Sequence, residues 1–211
     1  MNNIIETLNR RYATKQFDTA QTLSDKQVHI LTESMRLAPS SFGLQPWKFV
    51  VISDPQLKAQ LKTHSYGQDK VTQASHLIVL CAADDTTESD VQRYIDSIVS
   101  TTHADPSQLE WYQNMMNMSL ESMSQESRKH RAENQVYIAL WFLLMTAAEM
   151  KIDTCPMEWF DRQAYDKLLH LEWTGYHSTV IVAVGLRSPD DATAMAVKVR
   201  YDADQVIQYI S

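Results

Sequence analysis

The chain has 211 residues, of which 44% are hydrophobic and 21% charged, and its formal net charge at pH 7 is −7. This composition is typical of a globular protein, and the length predicts one domain over residues 1–211. The negative net charge argues against a general nucleic-acid binder, because phosphate binding needs a basic face.

Neither the cysteines nor the apolar segments point to secretion or to a membrane. Cys81 and Cys155 lie far apart and outside any C-x-x-C pair, which fits a reducing compartment. The N-terminal segment MNNIIETLNRRYATK lacks the apolar core and cleavage site of a signal peptide. The longest apolar run, residues 137–148, is too short to cross a bilayer and predicts a helix buried on all sides. We therefore expect a soluble, cytoplasmic protein.

Two capping signals predict the first helices. Asn3 followed by Glu6 has the spacing of a capping box, and so does Ser24 followed by Gln27. Pro39 should end the helix that Ser24 begins, because the residue before a proline disfavours helical backbone.

Later helices follow from proline and glycine placement. An Asp-Pro pair at residues 54–55 predicts a helix start. Residues 87–150 contain no glycine and one proline, which predicts two or three long helices. Residues 161–171 have the pattern of a short amphipathic helix.

Three short, β-branched apolar runs predict buried strands at residues 47–53, 76–83 and 178–186. The tail at residues 205–210 alternates like a fourth strand but has no neighbouring strand in the sequence. Its backbone groups need a partner, so we expect the tail to pair with the sheet of a second subunit. The fold class is α+β, with helices outnumbering strands.

Only four glycines occur, and no two of them form a dinucleotide-binding or Walker motif. The seven histidines likewise form no metal-binding spacing, so no metal is expected. If the chain binds a phosphorylated cofactor, side-chain cations must replace the glycine-rich loop.

Candidate cations occur near both ends of the chain. Arg11 lies at a predicted helix end and Lys15 follows in extended chain; a basic helix terminus that complements the helix dipole is the simpler interpretation. Lys198 and Arg200 alternate in an extended segment, so both charges can point at one anion, although a solvated edge strand would look the same.

Two polar segments lie between these ends. Gln68 and Lys70 precede the second strand, where a polar surface turn would have the same composition. The loop PSSFGLQPW at residues 39–47 combines two hydroxyls, an amide, two prolines and two aromatic rings. A connector needs turn residues, but this concentration of polar and aromatic groups indicates a binding role.

Together, five segments resemble the flavin-dependent nitroreductase family, in the branch that contains oxygen-insensitive nitroreductases and dihydropteridine reductase. In chain order they are RYATKQFD (11–18), PSSFGLQPW (39–47), GQDKVTQASH (67–76), CPMEWFD (155–161) and KVR (198–200). Each is weak alone, but all five occur in the family's order and spacing. The resemblance implies a nitroreductase-like fold, with a central mixed, mainly antiparallel sheet flanked by helices, and FMN as cofactor.

The resemblance also implies roles for the cations. By position, Arg11, Lys198 and Arg200 match a clamp for the FMN phosphate, where ionised partners form strong hydrogen bonds. Lys15 and Lys70 match the pair beside N1 and the C2 carbonyl of the flavin. Positive charge there stabilises the reduced ring, which carries negative charge.

Other positions match the rest of the cofactor. Gln68 would address the pyrimidine edge, and the backbone at Glu158 would lie near N5. In a homodimer, Pro39, Ser40 and Ser41 would cover the FMN held mainly by the partner subunit. The further positions that match cofactor contacts are Tyr12, Ala13, Gly43, Pro156 and Trp159.

Three residues depart from the family pattern. Ala13 stands where many relatives have serine, and Gly43 where some have asparagine, so two polar contacts are missing. Trp159 replaces the glycine of the usual MEGF motif. If that position requires a positive φ, a bulky residue costs about 1–2 kcal/mol there, and its ring could alter substrate choice.

The activity implied is that of an FMN-dependent NAD(P)H oxidoreductase. NAD(P)H and a nitroaromatic or quinone acceptor would visit one flavin face in turn, by ping-pong kinetics, and no side chain is assigned as catalytic. Two alternatives remain: dihydropteridine or free-flavin reduction on the same scaffold, and a non-catalytic FMN-binding protein. Residues 111–123 predict part of a helical lid whose methionines are either core filler or an adaptable wall for flat substrates.

Overall fold

The computed structural model describes residues 4–210, so the predicted cap at Asn3 lies outside the described residues. The helices are α1 (Ile4–Arg10), α2 (Asp25–Arg36), α3 (Pro55–Thr63), α4 (Lys70–Gln73), α5 (Glu88–Thr102), α6 (Glu110–Glu121), α7 (Gln125–Glu149), α8 (Arg162–Leu168) and α9 (Ala203–Val206). The strands are β1 (Trp47–Ile52), β2 (His76–Ala83), β3 (Asp153–Met157) and β4 (Tyr176–Gly185).

The predicted helix starts at Ser24 and Asp54 are confirmed. Ser24 and Gln27 form a complete capping box at the start of α2. The carboxylate of Asp54 accepts hydrogen bonds from the backbone N–H groups of Gln56 and Leu57, and Pro55 occupies the first turn of α3. The stretch between residues 87 and 150 forms three helices, α5 to α7, as its composition predicts.

The four strands form one sheet in the order β1-β2-β4-β3, and every neighbouring pair is antiparallel. The expected parallel component is limited to an isolated bridge between Ala13 and Thr154. The sequence analysis missed β3, whose short sequence DTCPM includes a proline. Because β3 is an edge strand, Pro156 can lie in it without leaving a ladder hydrogen bond unmade in the sheet centre.

The sheet separates two hydrophobic layers. On one face, α2 and α7 pack against the central strands, with Leu31, Met35 and Leu143 fully buried. On the other face, α3 and α8 contribute Leu61 and Tyr165. Since β2 and β4 are covered on both faces, most of their residues are buried, and residues 77–83 and 180–184 form unbroken apolar runs. A third, smaller cluster joins α5 and α6 to the loop before β1.

The prediction that residues 137–148 are buried on all sides is wrong. Only one face of α7 contacts the sheet and α2, and the opposite face leaves Ile138, Trp141 and Phe142 between 37% and 51% exposed. We call these three residues the α7 stripe. A single sheet can cover only one side of a helix, so the outer apolar residues have no cover within one protomer.

The predicted strand at residues 205–210 does not form within one protomer. Residues Ala203–Val206 make a helical turn, closed by the N–H of Ile207 on the carbonyl of Ala203 at 2.8 Å. Ile207 itself is extended, and the tail is exposed throughout its described length. No strand edge of the protomer's sheet is hydrogen-bonded to it among the described residues. Pairing with a second subunit stays a prediction.

Membrane insertion has no support from the helices. Within residues 4–210, none of them is both long enough and apolar enough to cross a bilayer.

Cys81, at the centre of the sheet, gives the fold a pH-dependent stability. Burial, assisted by the charge of Asp166, raises the pKa of the Cys81 thiol to about 12. An unfolded thiol loses its proton near a pKa of about 8.5, so between these values the folded state binds more protons than the unfolded state. The free energy of unfolding should therefore fall as pH rises through this window, by up to about 1.4 kcal/mol per pH unit from this group.

We expect Cys81→Ala to lose this contribution. Denaturant titrations with a thiol reductant at about pH 8 and about pH 10 should show a smaller pH-dependent loss of stability in the variant than in the wild type. Equal losses in the two proteins would contradict the assignment.

Candidate functional site

Three cations from the two ends of the chain converge beside α1. Arg11, Lys198 and Arg200 line two adjoining cavities of about 320 Å³ and about 370 Å³. The described residues that line these cavities include no aspartate or glutamate. The cluster therefore forms a concave surface with positive charge and no built-in counter-charge, and we call it the cation cluster.

The electrostatics of the cation cluster indicate a missing anion. Burial and the nearby charge of Arg200 lower the pKa of Arg11, and burial with the charges of Arg11 and Arg200 lowers the pKa of Lys198. Positive charges this close repel one another, and a bound anion would relieve that repulsion. In addition, one terminal nitrogen of Arg11 is buried without a hydrogen-bond partner. A phosphate would supply both the missing charge and the missing acceptor.

Lys198 also contributes to local structure. Its ammonium donates to the carbonyl of Leu8 at 2.6 Å and to the carbonyl of Arg11, at the C-terminal end of α1. A cation there complements the helix dipole. Residues 196–202 form no strand, so the strand alternation expected for Lys198 and Arg200 does not occur, and these contacts hold Lys198 beside α1. Arg10, next to Arg11, also borders the cavity of about 320 Å³, but its charge is paired, with a nitrogen 3.8 Å from a carboxylate oxygen of Asp153.

The charges of Lys15 and Lys70 both act on the thiol of Cys155, on β3. Burial raises the pKa of the Cys155 thiol, while the charges of Lys70 and Lys15 and a hydrogen bond with Lys70 oppose that rise. The two lysines, 55 residues apart in the sequence, thus act on one atom. Lys70 is the first residue of α4, and Lys15 lies two residues after Ala13, which forms a β-bridge with Thr154 of β3.

Asp191 ties the segment at residues 12–16 to the C-terminal region. One carboxylate oxygen accepts hydrogen bonds from the hydroxyl of Tyr12 at 2.9 Å and from the backbone N–H groups of Lys15 and Gln16 at 2.9 Å and 3.2 Å. The other accepts from the N–H of Thr193. Burial would raise the pKa of Asp191, but these hydrogen bonds hold it below its ordinary value. The hydroxyl of Tyr12 is therefore engaged within the protein.

The loop PSSFGLQPW is fixed by α6 and α7. The side chain of Gln135 accepts from the N–H of Ser41 at 2.8 Å, and Arg131 donates to the hydroxyl of Ser41. Tyr112 donates to the carbonyl of Phe42 at 3.2 Å. Pro39 and Ser41 are exposed, and the loop lines different cavities from the cation cluster. Within one protomer the two halves of the predicted site therefore stay apart.

Residues 156–161 directly follow Cys155, on which the charges of Lys15 and Lys70 act. The exposed carboxylate of Glu158 accepts from the hydroxyl of Tyr137, and the side chain of Gln68 donates to the carbonyl of Trp159 at 2.9 Å. Burial, followed by this hydrogen bond, raises the pKa of Tyr137. Pro156 is half-buried in β3. Trp159 is not among the residues with positive φ, so the strain considered from the sequence does not arise.

The sequence analysis missed the residues that position the site. Asp191, Arg131 and Tyr137 each hold a predicted site residue from a distant place in the chain. No local motif marks them, because a capping or ladder rule links only near neighbours or paired strands.

Comparison with known proteins agrees with this architecture. The nitroreductase family model matches residues 8–186. A protein of Staphylococcus haemolyticus, provisionally named an NAD(P)H nitroreductase, is 33% identical over 215 residues, which cover 98% of this chain and 97% of that relative. The chain therefore belongs to the nitroreductase family.

Solved structures share the fold. A provisionally assigned nitroreductase from Bacillus subtilis superposes with a TM-score of 0.88 at 18% identity, covering 98% of each chain. Another, from Exiguobacterium sibiricum and in complex with FMN, has a TM-score of 0.84 at 18% identity, covering 100% of this chain and 98% of that one. The antiparallel sheet flanked by helices is thus a nitroreductase-like fold.

The loop geometry generates a test of its own. Phe42, Gly43 and Gln45 have φ values of 59°, 76° and 49°. A Cβ added at Gly43 would lie 2.4 Å from the hydroxyl oxygen of Tyr94, whereas at Gly175, with φ of 81°, it would meet nothing within 4 Å. Both substitutions by alanine share the cost of positive φ, about 1 kcal/mol, but only one adds a clash.

We expect Gly43→Ala to lower the thermal midpoint more than Gly175→Ala, because Tyr94 must move to admit the methyl group. Thermal unfolding of the two variants and the wild type measures the difference. Equal midpoints in the two variants would mean that the loop relaxes without cost.

Proposed function

We propose that the protein is an FMN-dependent NAD(P)H oxidoreductase that reduces nitroaromatics or quinones, and that it acts in the cytoplasm. The observation that supports this most directly is the acid-free cation cluster, in which Arg11 keeps a buried N–H without a partner. The FMN-bound structural neighbour and the NAD(P)H named for the relatives agree with it.

The residues of the chain have separate tasks in this proposal. Arg11, Lys198 and Arg200 bind the phosphate, because they offer converging charge to a dianion. Lys15 and Lys70 place positive charge at the ring end of the site, around Cys155. FMN held by these residues would supply the redox chemistry that moves two electrons from NAD(P)H to the acceptor.

The remaining predicted contacts complete the binding site. Gln68 is held against the carbonyl of Trp159 and so presents its amide at the same edge as Lys70. Glu158 is fixed by Tyr137, which orients the backbone that follows β3. Because the sequence contains no Rossmann motif that would bind a nicotinamide separately, NAD(P)H and acceptor would use one face in turn. We assign no acid or base among the side chains.

The experiment that tests this proposal is anaerobic spectroscopy of the purified protein. We expect a yellow protein that releases FMN and not FAD on denaturation, since nothing in the sequence offers an adenine fingerprint. NADPH or NADH should bleach the flavin, and a quinone should restore its colour. Stoichiometric FAD would refute the cofactor, and an unbleached flavin would favour the non-catalytic alternative. A substrate panel with dihydropteridine and free flavin separates the other rival.

The cation cluster predicts a specific defect. Arg200→Ala should weaken FMN binding by about 1.5–3 kcal/mol, the scale of a hydrogen bond to a charged group, which is about a 10- to 150-fold rise in Kd. Titration of the apo-protein with FMN measures it. Saturating FMN should restore much of the turnover, because the phosphate lies far from the reacting atoms.

Two further variants control this measurement. Arg36→Ala removes an exposed arginine that pairs with Glu33 on α2, and it should leave the Kd for FMN unchanged. Lys15→Ala should lower the flavin potential, and added FMN should not restore its rate. An unchanged Kd in Arg200→Ala would show that this arginine is only a solvated charge.

We also propose a homodimer, for three structural reasons. The α7 stripe is apolar and uncovered, and Trp141 from it borders one cavity of the cation cluster. The exposed Ser41 lies on a rigid loop away from the cluster of its own chain. The tail also exposes Tyr209 and Ile210 at 90% and 87%. A second copy would cover these surfaces, and its loop would complete the cofactor site.

Deletion of residues 205–211 should weaken both the dimer and FMN binding, because it removes the tail that we expect to pair with the partner's sheet. Light scattering gives the mass, and FMN titration gives the Kd. Deletion of Ser211 alone is the matched control. A wild-type monomer that retains flavin would refute the homodimer.

A further inference from the structure

Two exposed aromatic rings stand together on the segments that also carry Gln68 and Glu158. The rings of Tyr66 and Trp159 have centroids 5.0 Å apart and planes inclined by 32°. Tyr66 is 59% and Trp159 71% exposed. Of the four ring pairs found within residues 4–210, this is the one in which both rings are exposed. We call it the aromatic pair.

Core contacts fix both members of the aromatic pair. Ser65, next to Tyr66, is fully buried, with its hydroxyl 2.6 Å from the hydroxyl of Tyr165. Phe160, next to Trp159, is also buried, and its ring packs on that of the same Tyr165, with 4.7 Å between the ring centroids. One buried tyrosine therefore anchors both segments, and each segment turns its next side chain toward solvent.

The backbone around the aromatic pair is also restrained. Gln68 donates to the carbonyl of Trp159, and the N–H of Phe160 bonds to the carbonyl of Glu158 at 3.1 Å. Tyr66 has φ of 53°, in the left-handed region that an aromatic residue rarely adopts. Strained backbone kept by firm contacts is typical of functional positions. Large exposed rings held this way lose little freedom when a ligand stacks on them.

The location connects the aromatic pair with the proposed site. Its anchor Gln68 is two residues from Lys70, and Trp159 follows Glu158 directly. These neighbours are the residues that the proposed function places at the ring end of FMN. An aromatic wall at this place offers a planar apolar surface to molecules that approach that end.

We propose that Tyr66 and Trp159 form an acceptor-binding wall that selects planar acceptors with two or more fused rings over single-ring ones. The proposal rests on the proposed function for the identity of the ligand, an electron acceptor. Stacking energy grows with the overlapping ring area, so a two-ring acceptor gains more from this wall than a one-ring acceptor of the same chemistry.

The test measures binding to the FMN-loaded, oxidised protein by calorimetry, without NAD(P)H. The probes are 1,4-naphthoquinone and 1,4-benzoquinone. In Trp159→Gly we expect the Kd for naphthoquinone to rise about 10-fold and that for benzoquinone to change less than about 3-fold. Trp159→Phe, which keeps a ring, should retain most of the preference.

Trp173→Gly is the matched control. Trp173 is fully exposed and has φ of 67°, so glycine is tolerated there, and it is in none of the four ring pairs. It should leave both dissociation constants unchanged. An unchanged naphthoquinone Kd in Trp159→Gly would overturn the acceptor wall. An equal rise in Kd for both quinones would also overturn it. So would a variant whose dimer is weaker but whose two quinone Kd values keep their wild-type ratio.

A separate measurement distinguishes failure of this inference from failure of the proposed function. Anaerobic addition of NADPH, and separately of NADH, to the wild type reports flavin reduction independently of quinone binding. If the flavin is reduced but the ring preference does not depend on Trp159, only the acceptor wall is refuted. If the preference depends on Trp159 but the flavin is not reduced, the wall stands as a binding site and the oxidoreductase proposal fails.

Discussion

The arrangement of the site depends on the hydrogen bonds that the buried carboxylate of Asp191 accepts. It binds Tyr12 and the backbone of Lys15 on one side and Thr193 on the other, and so joins the two ends of the chain. Arg11 directly precedes Tyr12 in the sequence, and Lys198 lies five residues after Thr193. Together with the hydrogen bonds of Lys198 to the carbonyls of Leu8 and Arg11, this carboxylate brings these cations to one place. The burial of Asp191 is affordable because hydrogen bonds satisfy its charge.

The same logic explains why the cation cluster lacks a counter-charge. Acidic groups are available nearby, but the protein uses each of them elsewhere. Asp153 is engaged by the guanidinium and backbone N–H of Arg187, and Asp191 by hydroxyl and amide donors. The cluster is left positive, and burial together with mutual repulsion lowers the pKa values of Arg11 and Lys198. In the proposed function, binding of an external anion would stabilise such a site, and cofactor binding would then be coupled to folding.

Rigid and open surfaces are combined around this site. The loop at residues 39–47 is locked by Gln135 and Tyr112, although it points away from the cluster of its own chain. The α7 stripe is well ordered by the sheet below it but has no cover above. On α6, Met116 is buried while Trp111 and Met118 are exposed, so the segment is neither pure core filler nor a fully exposed lid. In the proposed homodimer, a second copy would cover these surfaces.

The sequence by itself determined the elements with strong local signals. Capping at Ser24 and Asp54, the buried runs of β2 and β4 and the long helices after residue 87 depend on neighbours in the chain, so local rules identify them. The family resemblance indicated which cations belong together. Only the tertiary structure decided the rest. The edge position of β3, the exposed face of α7 and the contacts of Asp191 depend on what packs beside a segment, and hydrophobic periodicity carries no record of that.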